Sequence, residues 1–196
     1  MARKTLVLAE ARDSELRNVS FEAIAAGKQI ADGGEVVAVI CGNQVKDLGE
    51  TLVHYGAERV LTVEDEKLKY YTPDGYKQAV SQVIDSEQPE AIVFGHTAMG
   101  KDLAPRLAAK LDCGLIADAT ELEVNGDDVV VTRPIYSGKA FEKKKFKEGL
   151  LFVTIRPNNI AALQKDEGLS GDVSAFDAEI EEPRMVVKNI ERKSTG

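Results

Sequence analysis

Residues 90–111 read EAIVFGHTAMGKDLAPRLAAKL, and this stretch decides the fold. Its first part, residues 91–94, is a short apolar run rich in β-branched and aromatic side chains. Such a run predicts a strand that is buried on both faces of a sheet. Gly95 and Gly100 then delimit a loop, and three leucines follow at four-residue spacing. That spacing predicts the apolar stripe of a helix.

The predicted helix contains a proline, Pro105. Because proline is tolerated in a helix mainly in the first turn, we expect this helix to begin near Lys101 or Asp102. A strand, a glycine loop and a helix N-terminus in succession form a candidate anion or nucleotide site, since free backbone N–H groups converge there.

The same loop nearly matches the P-loop motif, G-x-x-x-x-G-K followed by Ser or Thr, which binds nucleotide phosphates. Gly95, Gly100 and Lys101 fit the motif, but Asp102 stands where a hydroxyl should hold Mg²⁺. A carboxylate adds negative charge beside the phosphates, whereas it suits an empty helix N-terminus well. We therefore favour a charge-capped strand-to-helix turn and keep an NTPase as a less favoured alternative.

The composition excludes several classes of protein. Of the 196 residues, 43% are hydrophobic and 30% are charged, which is typical of soluble globular proteins. The net charge of −8 disfavours nucleic acid as a partner.

No apolar run approaches the roughly 20 residues of a membrane span, and no signal or transit peptide is recognisable. Two distant cysteines give no disulfide framework. We therefore expect a cytoplasmic location, or the mitochondrial matrix in a eukaryote.

Four apolar runs, at residues 5–9, 35–41, 59–63 and 91–94, alternate with helical patterns. This alternation predicts an α/β fold with a Rossmann-like parallel sheet and helices on both faces. Ligands of such sheets bind beyond the carboxyl ends of the strands. His96 lies at one such end and is a candidate for a binding or interface role. No G-x-G-x-x-G motif follows the first strand, so we do not expect a usual dinucleotide site.

The residues suggest no self-contained catalysis. His54 and His96 have no metal-ligand spacing, and neither cysteine has a histidine or a basic cluster near it in sequence. We expect Cys41, at the end of a strand, to be buried. No nucleophile, base and oxyanion donor come together in the sequence, and no metal site is predicted.

After residue 111 the pattern changes to alternating strands. Residues 120–124 and 129–133 flank Asn125-Gly126, a hairpin-turn dipeptide. Residues 138–147 and 150–156 predict a second antiparallel hairpin, with a lysine run that protects its exposed edge. From residue 163 onward acids accumulate. We therefore predict an α/β domain at 1–162 and an extended acidic arm at 163–196, with one last strand near 186–190.

The loop between the two predicted hairpins carries Arg133, Tyr136 and Ser137 beside Gly138. A loop of this kind closes over a crevice or builds an interface. A polar bend without a function is equally consistent with the sequence, and both interpretations stay open.

Three segments in this order, residues 95–111, Ile116–Asp118 and Arg133–Ala140, resemble the amino-terminal domain of the alpha subunit of electron-transfer flavoproteins. The resemblance covers essentially the whole chain. It implies an adenine-nucleotide-binding-like α/β fold that has lost its nucleotide and packs against a beta subunit. It also implies a heterodimeric FAD carrier that passes electrons from acyl-CoA and other dehydrogenases toward a membrane quinone oxidoreductase.

In that family a following alpha domain holds the FAD, with help from the beta subunit. No flavin-binding segment is recognisable here, so we expect the arm to lead toward an absent FAD domain and this chain alone to bind no FAD tightly. An AMP- or ATP-binding α/β module is the main alternative function. The predicted crevice or interface residues are Gly95, His96, Thr97, Gly100, Lys101, Asp102, Arg133, Tyr136 and Ser137.

Overall fold

The computed structural model describes residues 1–182 of the chain. The helices are α1 (Asn18–Ala31), α2 (Gly49–His54), α3 (Pro73–Glu87) and α4 (Ala98–Leu111). The strands are β1 (Thr5–Ala9), β2 (Ala11–Arg12), β3 (Glu15–Leu16), β4 (Val36–Gly42), β5 (Arg59–Glu64), β6 (Ala91–Gly95), β7 (Ile116–Ala119), β8 (Glu121–Asn125), β9 (Asp128–Ile135), β10 (Ala140–Phe146), β11 (Leu151–Ile155) and β12 (Asp172–Ala175).

Within the described residues, seven strands form one parallel sheet in the order β12-β5-β4-β1-β6-β11-β7. From β1 the chain runs outward to β4 and β5, and then returns through α3 to β6 on the other side of β1. The boundary between β1 and β6 is therefore the topological switch point, where ligands of such sheets bind. The Rossmann-like α/β fold predicted from the sequence is confirmed.

The core consists of two apolar layers, one on each face of the sheet. Successive side chains of a strand point to opposite faces. Val7 and Ala9 of β1 accordingly pack in the layer with α1 and α2, whereas Leu6 and Leu8 pack in the layer with α3 and α4. The four strands predicted in the first half of the chain are confirmed to within one residue at each end.

The predicted start of α4 near Lys101 or Asp102 is wrong, because α4 begins at Ala98. Thr97 caps the helix, and its Oγ1 accepts a 3.1 Å hydrogen bond from the backbone N–H of Gly100. Pro105 therefore lies inside the helix, where it has no N–H to donate to the carbonyl four residues before it. The cap and the buried leucine face outweigh that lost hydrogen bond.

The predicted second hairpin, of residues 138–147 with 150–156, is also wrong. β10 pairs antiparallel with β9 and extends the first hairpin, β8–β9, into a three-stranded sheet. β11 instead lies between β6 and β7, parallel to both. All five of its residues are buried, and only a central position in the large sheet covers both faces of such a strand. The first hairpin, around Asn125-Gly126, is confirmed.

Part of the predicted arm at 163–196 lies within the described residues and packs against the same chain. β12 pairs parallel with β5 at the edge of the large sheet. Ile180 is 8% exposed and lies in the apolar layer of α3 and α4. The last strand predicted near 186–190 lies outside the described residues, and the domain boundary at residue 162 stays a prediction.

Candidate functional site

A crevice of about 1000 Å³ opens at the carboxyl ends of β1 and β4. It lies beside the switch point between β1 and β6, the edge of the sheet to which the sequence assigned ligands. Its lining combines residues that end or follow these strands, tyrosines in and before α3, and the first turn of α4: Glu10, Arg17, Cys41, Tyr71, Tyr76 and Met99.

Glu10 directly follows β1, and its side chain is only 3% exposed. Its Oε2 accepts a 2.8 Å hydrogen bond from Thr97 Oγ1, and its Oε1 forms a 3.2 Å ion pair with Arg17. The Ser20 hydroxyl donates to the backbone carbonyl of Glu10 and accepts from its backbone N–H. Burial raises the pKa of Glu10, while the Thr97 hydrogen bond and the Arg17 charge act in the opposite direction.

The Glu10 carboxylate therefore occupies the place beside a helix N-terminus where nucleotide phosphates sit in related sheets. Thr97 blocks the helix N-terminus at the same position, because its Oγ1 already accepts a hydrogen bond from the N–H of Gly100. A phosphate entering here would meet a buried carboxylate and a helix end that is already hydrogen-bonded. The site is filled by the chain's own groups.

The two glycines of the near P-loop serve packing. A Cβ at Gly100 would lie 1.8 Å from the carbonyl oxygen of Gly95, and a Cβ at Gly95 would lie 2.7 Å from Val19 Cγ2. The backbone of α4 therefore contacts the end of β6 at Gly100, with no space for a side chain there. Between β6 and α4 there are only His96 and Thr97, a connection too short to wrap around phosphates as a P-loop does.

Asp102, the residue that departs from the P-loop motif, is held by side chains. Its Oδ2 accepts a 2.5 Å hydrogen bond from the Tyr71 hydroxyl, and its Oδ1 accepts a 3.1 Å hydrogen bond from Arg106 Nη2. The Tyr71 hydrogen bond, followed by the contacts with Arg106, lowers the pKa of Asp102. Burial and the Asp102 carboxylate in turn raise the pKa of Tyr71. This carboxylate connects α4 to the loop before α3.

His96 belongs to a polar cluster at the carboxyl ends of β6, β7 and β11. Its Nδ1 lies 2.9 Å from Thr154 Oγ1, and its Nε2 lies 3.9 Å from Asp118 Oδ1. Asp118 in turn accepts two hydrogen bonds from Arg156, of 2.9 and 2.7 Å. Burial lowers the pKa of His96, and nearby cations lower it further, while Asp118 opposes them. The neutral imidazole is thus the favoured form near pH 7.

The loop predicted to lie between two hairpins is a turn within one hairpin. Arg133 is in β9, whereas Tyr136 and Ser137 form the turn to β10 with φ of 51° and 56°. Tyr136 is 77% exposed. None of the nine predicted residues is among the described residues that line the crevice. They separate instead into the β6–α4 junction, with Arg133 nearby, and this exposed turn.

The candidate site predicted from the sequence did not include several residues of these clusters, namely Glu10, Tyr71, Asp118, Thr154 and Arg156. Glu10 carried a signal, since it is an acidic residue directly after the first buried strand. Thr154 was assigned to a hairpin strand, which hid its position next to β6. Tyr71 contacts Asp102, and Asp118 contacts Arg156, only because the fold places distant strands and helices side by side.

The described residues contain no group of three or more His, Cys, Asp or Glu side chains that could hold a metal ion. Cys41 is buried, as predicted, and burial raises the pKa of its thiol to about 12. A thiol of that pKa is a poor nucleophile at neutral pH. Within residues 1–182, no helix is both long and apolar enough to cross a membrane.

Comparison with known families matches the electron transfer flavoprotein domain over residues 5–181. The chain belongs to this family. It is 52% identical to the electron transfer flavoprotein subunit alpha of Bacillus subtilis (strain 168) over 194 residues, which are 99% of this chain and 60% of that protein. It is 35% identical to the corresponding subunit of Thermoanaerobacterium thermosaccharolyticum over 186 residues, 93% of this chain and 56% of that protein.

This electron transfer flavoprotein domain is also similar to an electron transfer subunit of a reductase. It is 38% identical to the acryloyl-CoA reductase electron transfer subunit beta of Anaerotignum propionicum over 125 residues, 63% of this chain and 34% of that protein. The chain thus spans 60% or less of the length of these relatives. The family resemblance seen in the sequence is confirmed, and the activities of the longer proteins belong to the proposals below.

Proposed function

We propose that this chain is the amino-terminal scaffold and partner-interface domain of an electron transfer flavoprotein alpha subunit. The observation that carries the proposal is the closed switch point, where Glu10 and Thr97 fill the place of a nucleotide phosphate. A Rossmann-like fold without an open phosphate site is suited to supporting and positioning other parts of an electron carrier. The chain itself performs no catalysis in this proposal.

The assembled protein would be an FAD-carrying heterodimer with an electron transfer flavoprotein beta subunit. It would accept electrons from dehydrogenases, such as those acting on acyl-CoA, and pass them to a membrane quinone oxidoreductase. The similarity to two electron transfer flavoprotein alpha subunits supports the pairing with a beta subunit. The similarity to an acryloyl-CoA reductase electron transfer subunit supports the connection with acyl-CoA. A cytoplasmic location stays a prediction.

The residues of this chain do not fit FAD in the position that a Rossmann-like sheet usually offers. The pyrophosphate would lie against the buried Glu10 carboxylate, and the N–H of Gly100 that it would approach is already bonded to Thr97. FAD in the complete protein would therefore be held outside this crevice, in a further alpha domain and the beta subunit. The purified chain should be colourless after desalting, with or without added FAD.

The β9–β10 turn is the part of the chain most suited to contact the beta subunit. Tyr136 in this turn is 77% exposed, and Phe141 near the start of β10 is 65% exposed. Exposed aromatic side chains close together are characteristic of protein interfaces. Ser137 and the neighbouring lysines would supply the polar rim of such an interface.

The test is complex formation between this chain and its electron transfer flavoprotein beta subunit, followed by calorimetry and light scattering. We expect a one-to-one complex, which Tyr136→Ala weakens about tenfold or more, as truncation of an aromatic anchor does. Leu169→Ala is the matched control, because Leu169 is also apolar and exposed, at 44%, but lies in the segment before β12. Failure of the wild-type chain to bind the beta subunit would refute the proposal.

An AMP- or ATP-binding module remains the second candidate, and the crevice of about 1000 Å³ beside Tyr71 and Tyr76 favours it. Its volume suits an adenine nucleoside. Calorimetric titration with AMP and ATP discriminates the two functions, and we expect no heat of binding. An NTPase would require ATP hydrolysis that is lost in Lys101→Ala, and we expect no hydrolysis by the wild-type chain.

A further inference from the structure

Three permanent cations act electrostatically on His96 at the carboxyl edge of the sheet. Lys101 lies in α4, Arg133 in β9, and Arg156 directly after β11. All three lie close enough to His96 for their charges to affect its protonation. Within residues 1–182, the one carboxylate that interacts with His96 is Asp118. Three cations and one carboxylate leave an excess of positive charge in a chain whose net charge is −8.

The carboxylate of Asp118 already has a close partner in Arg156. Arg156 donates two hydrogen bonds to Asp118, one from Nε and one from Nη2. Asp118 also has a left-handed backbone, with φ of 69°, and its N–H donates to Thr154 Oγ1. This bidentate pair fixes Asp118 and Arg156 together. Among the described residues, neither Lys101 nor Arg133 forms an ion pair of this kind with Asp118.

Arg133 is the decisive residue, because its Nε is buried and has no hydrogen-bond acceptor among the described residues. Buried guanidinium N–H groups are almost always hydrogen-bonded, so an orphaned one indicates a missing acceptor. Glu142 lies opposite Arg133 across the β9–β10 pair, but its carboxylate pairs with Lys144 instead. Neither Arg133 nor Lys101 forms an ion pair with any residue in the described range 1–182.

We propose that Arg133, Lys101 and His96 form a binding site for a single oxyanion of carboxylate or phosphate chemistry. The planar guanidinium of Arg133 would bind two oxygens of the anion, with the buried Nε as one donor. Lys101 supplies a flexible point charge, and the Nε2 of His96, 3.9 Å from Asp118 Oδ1 and too far for a hydrogen bond to it, supplies a third contact. This inference goes beyond the proposed function and needs no partner subunit for its test.

The test uses the proton resonances of the two histidines, His54 and His96, in the isolated chain. An anion bound beside His96 favours its charged form and so raises its pKa. We expect phosphate, added at constant ionic strength with chloride as the balancing anion, to raise the pKa of His96 by about half a unit or more. His54 is the internal reference, since its ring lies on α2 beside Glu50. Acetate in a parallel titration distinguishes a carboxylate site from one that needs a doubly charged anion.

The variants Arg133→Gln and Lys101→Gln should each abolish the response of His96 to phosphate and acetate. Lys110→Gln, which removes an exposed lysine from the last turn of the same helix, should leave the response intact. An unchanged His54 signal reports that each variant is folded. The proposal is overturned if neither anion moves the pKa of His96, or if Arg133→Gln responds as the wild-type chain does.

Discussion

Thr97 Oγ1 donates a 2.8 Å hydrogen bond to Glu10 Oε2, and this contact joins the end of β1 to the start of α4 across the switch point of the sheet. The same Thr97 oxygen accepts from the N–H of Gly100 and so caps the helix. Two positions 87 residues apart thereby share one buried polar contact. The carboxylate supplies internally the acceptor that a bound phosphate supplies in a nucleotide-binding sheet.

Glu10→Gln should change how stability depends on pH. Burial raises the folded-state pKa of Glu10 above 4.5, its ordinary value, so the folded chain keeps this proton to higher pH than the unfolded chain does. The stabilisation from that proton is present below pH 4.5 and is lost as the pH rises through the folded-state pKa. In urea unfolding, we therefore expect the free energy of unfolding of the wild-type chain, relative to that of Glu10→Gln, to fall as the pH rises from 4.5 through the folded-state pKa of Glu10.

The control for this comparison is Glu15→Gln, an exposed glutamate in the short β3 strand. Its free energy of unfolding should follow the wild-type pH profile. A constant difference between the wild-type chain and Glu10→Gln at every pH would contradict the role assigned to the buried carboxylate.

Gly100→Ala should destabilise the fold by about 3 kcal/mol or more, at the upper end of the range for overpacked positions. The added Cβ would lie 1.8 Å from the carbonyl oxygen of Gly95, so α4 must move away from β6. Gly114→Ala is the matched control, because no atom beyond its neighbours in the chain lies within 4 Å of a Cβ built there. Thermal and urea unfolding of both variants measure the difference. Equal stability of the two variants would show that the contact between α4 and β6 is not tight.

The parallel core could be predicted from the sequence because its signals are local. Residues 5–9 and 91–94 are continuous apolar runs, and their burial on both faces needs no knowledge of distant partners. Asn125-Gly126 likewise specifies its hairpin through the turn itself. The segment 151–155 carried the same signal, LFVTI, but its proximity to β10 in sequence favoured a hairpin that the structure does not contain.

The long-range contacts of the candidate site could not be predicted, because they depend on which strands and helices lie side by side. Asp118 and Arg156 are 38 residues apart and meet only since β11 lies beside β7. Pro105 misled the prediction of the start of α4 because its steric rule is local, whereas the helix start is fixed by the Thr97 cap. The Gly100 contact similarly arises only after α4 has packed on β6.

Tyr71→Phe should weaken the connection between α4 and the loop before α3. The variant removes the 2.5 Å hydrogen bond to Asp102, at a cost of about 1 kcal/mol near neutral pH. The hydrogen bond lowers the folded-state pKa of Asp102 below 3.8, so its stabilisation is present above pH 3.8 and is lost as the pH falls through the folded-state pKa. The difference from the wild-type chain in urea unfolding should shrink accordingly in acid.

Tyr70→Phe provides the comparison for that variant, because the Tyr70 ring lies beneath Lys69 Nζ at 5.5 Å and keeps this contact without its hydroxyl. We expect its stability to stay within about 0.5 kcal/mol of the wild-type value, as for most surface changes. A loss in Tyr70→Phe as large as in Tyr71→Phe would contradict a specific role for the Asp102 hydrogen bond.

Ile180→Ala tests whether the segment after residue 162 belongs to the domain. Ile180 is 8% exposed and packs in the layer of α3 and α4, so its truncation should cost about 2–3 kcal/mol in the free energy of unfolding. Leu169→Ala, at a residue of the same segment that is 44% exposed, should cost less than about 0.5 kcal/mol. If both variants unfold at the wild-type urea concentration, this segment is an arm attached to a domain that is stable without it. A selective loss in Ile180→Ala instead means that β12 and the residues after it complete the sheet and its core.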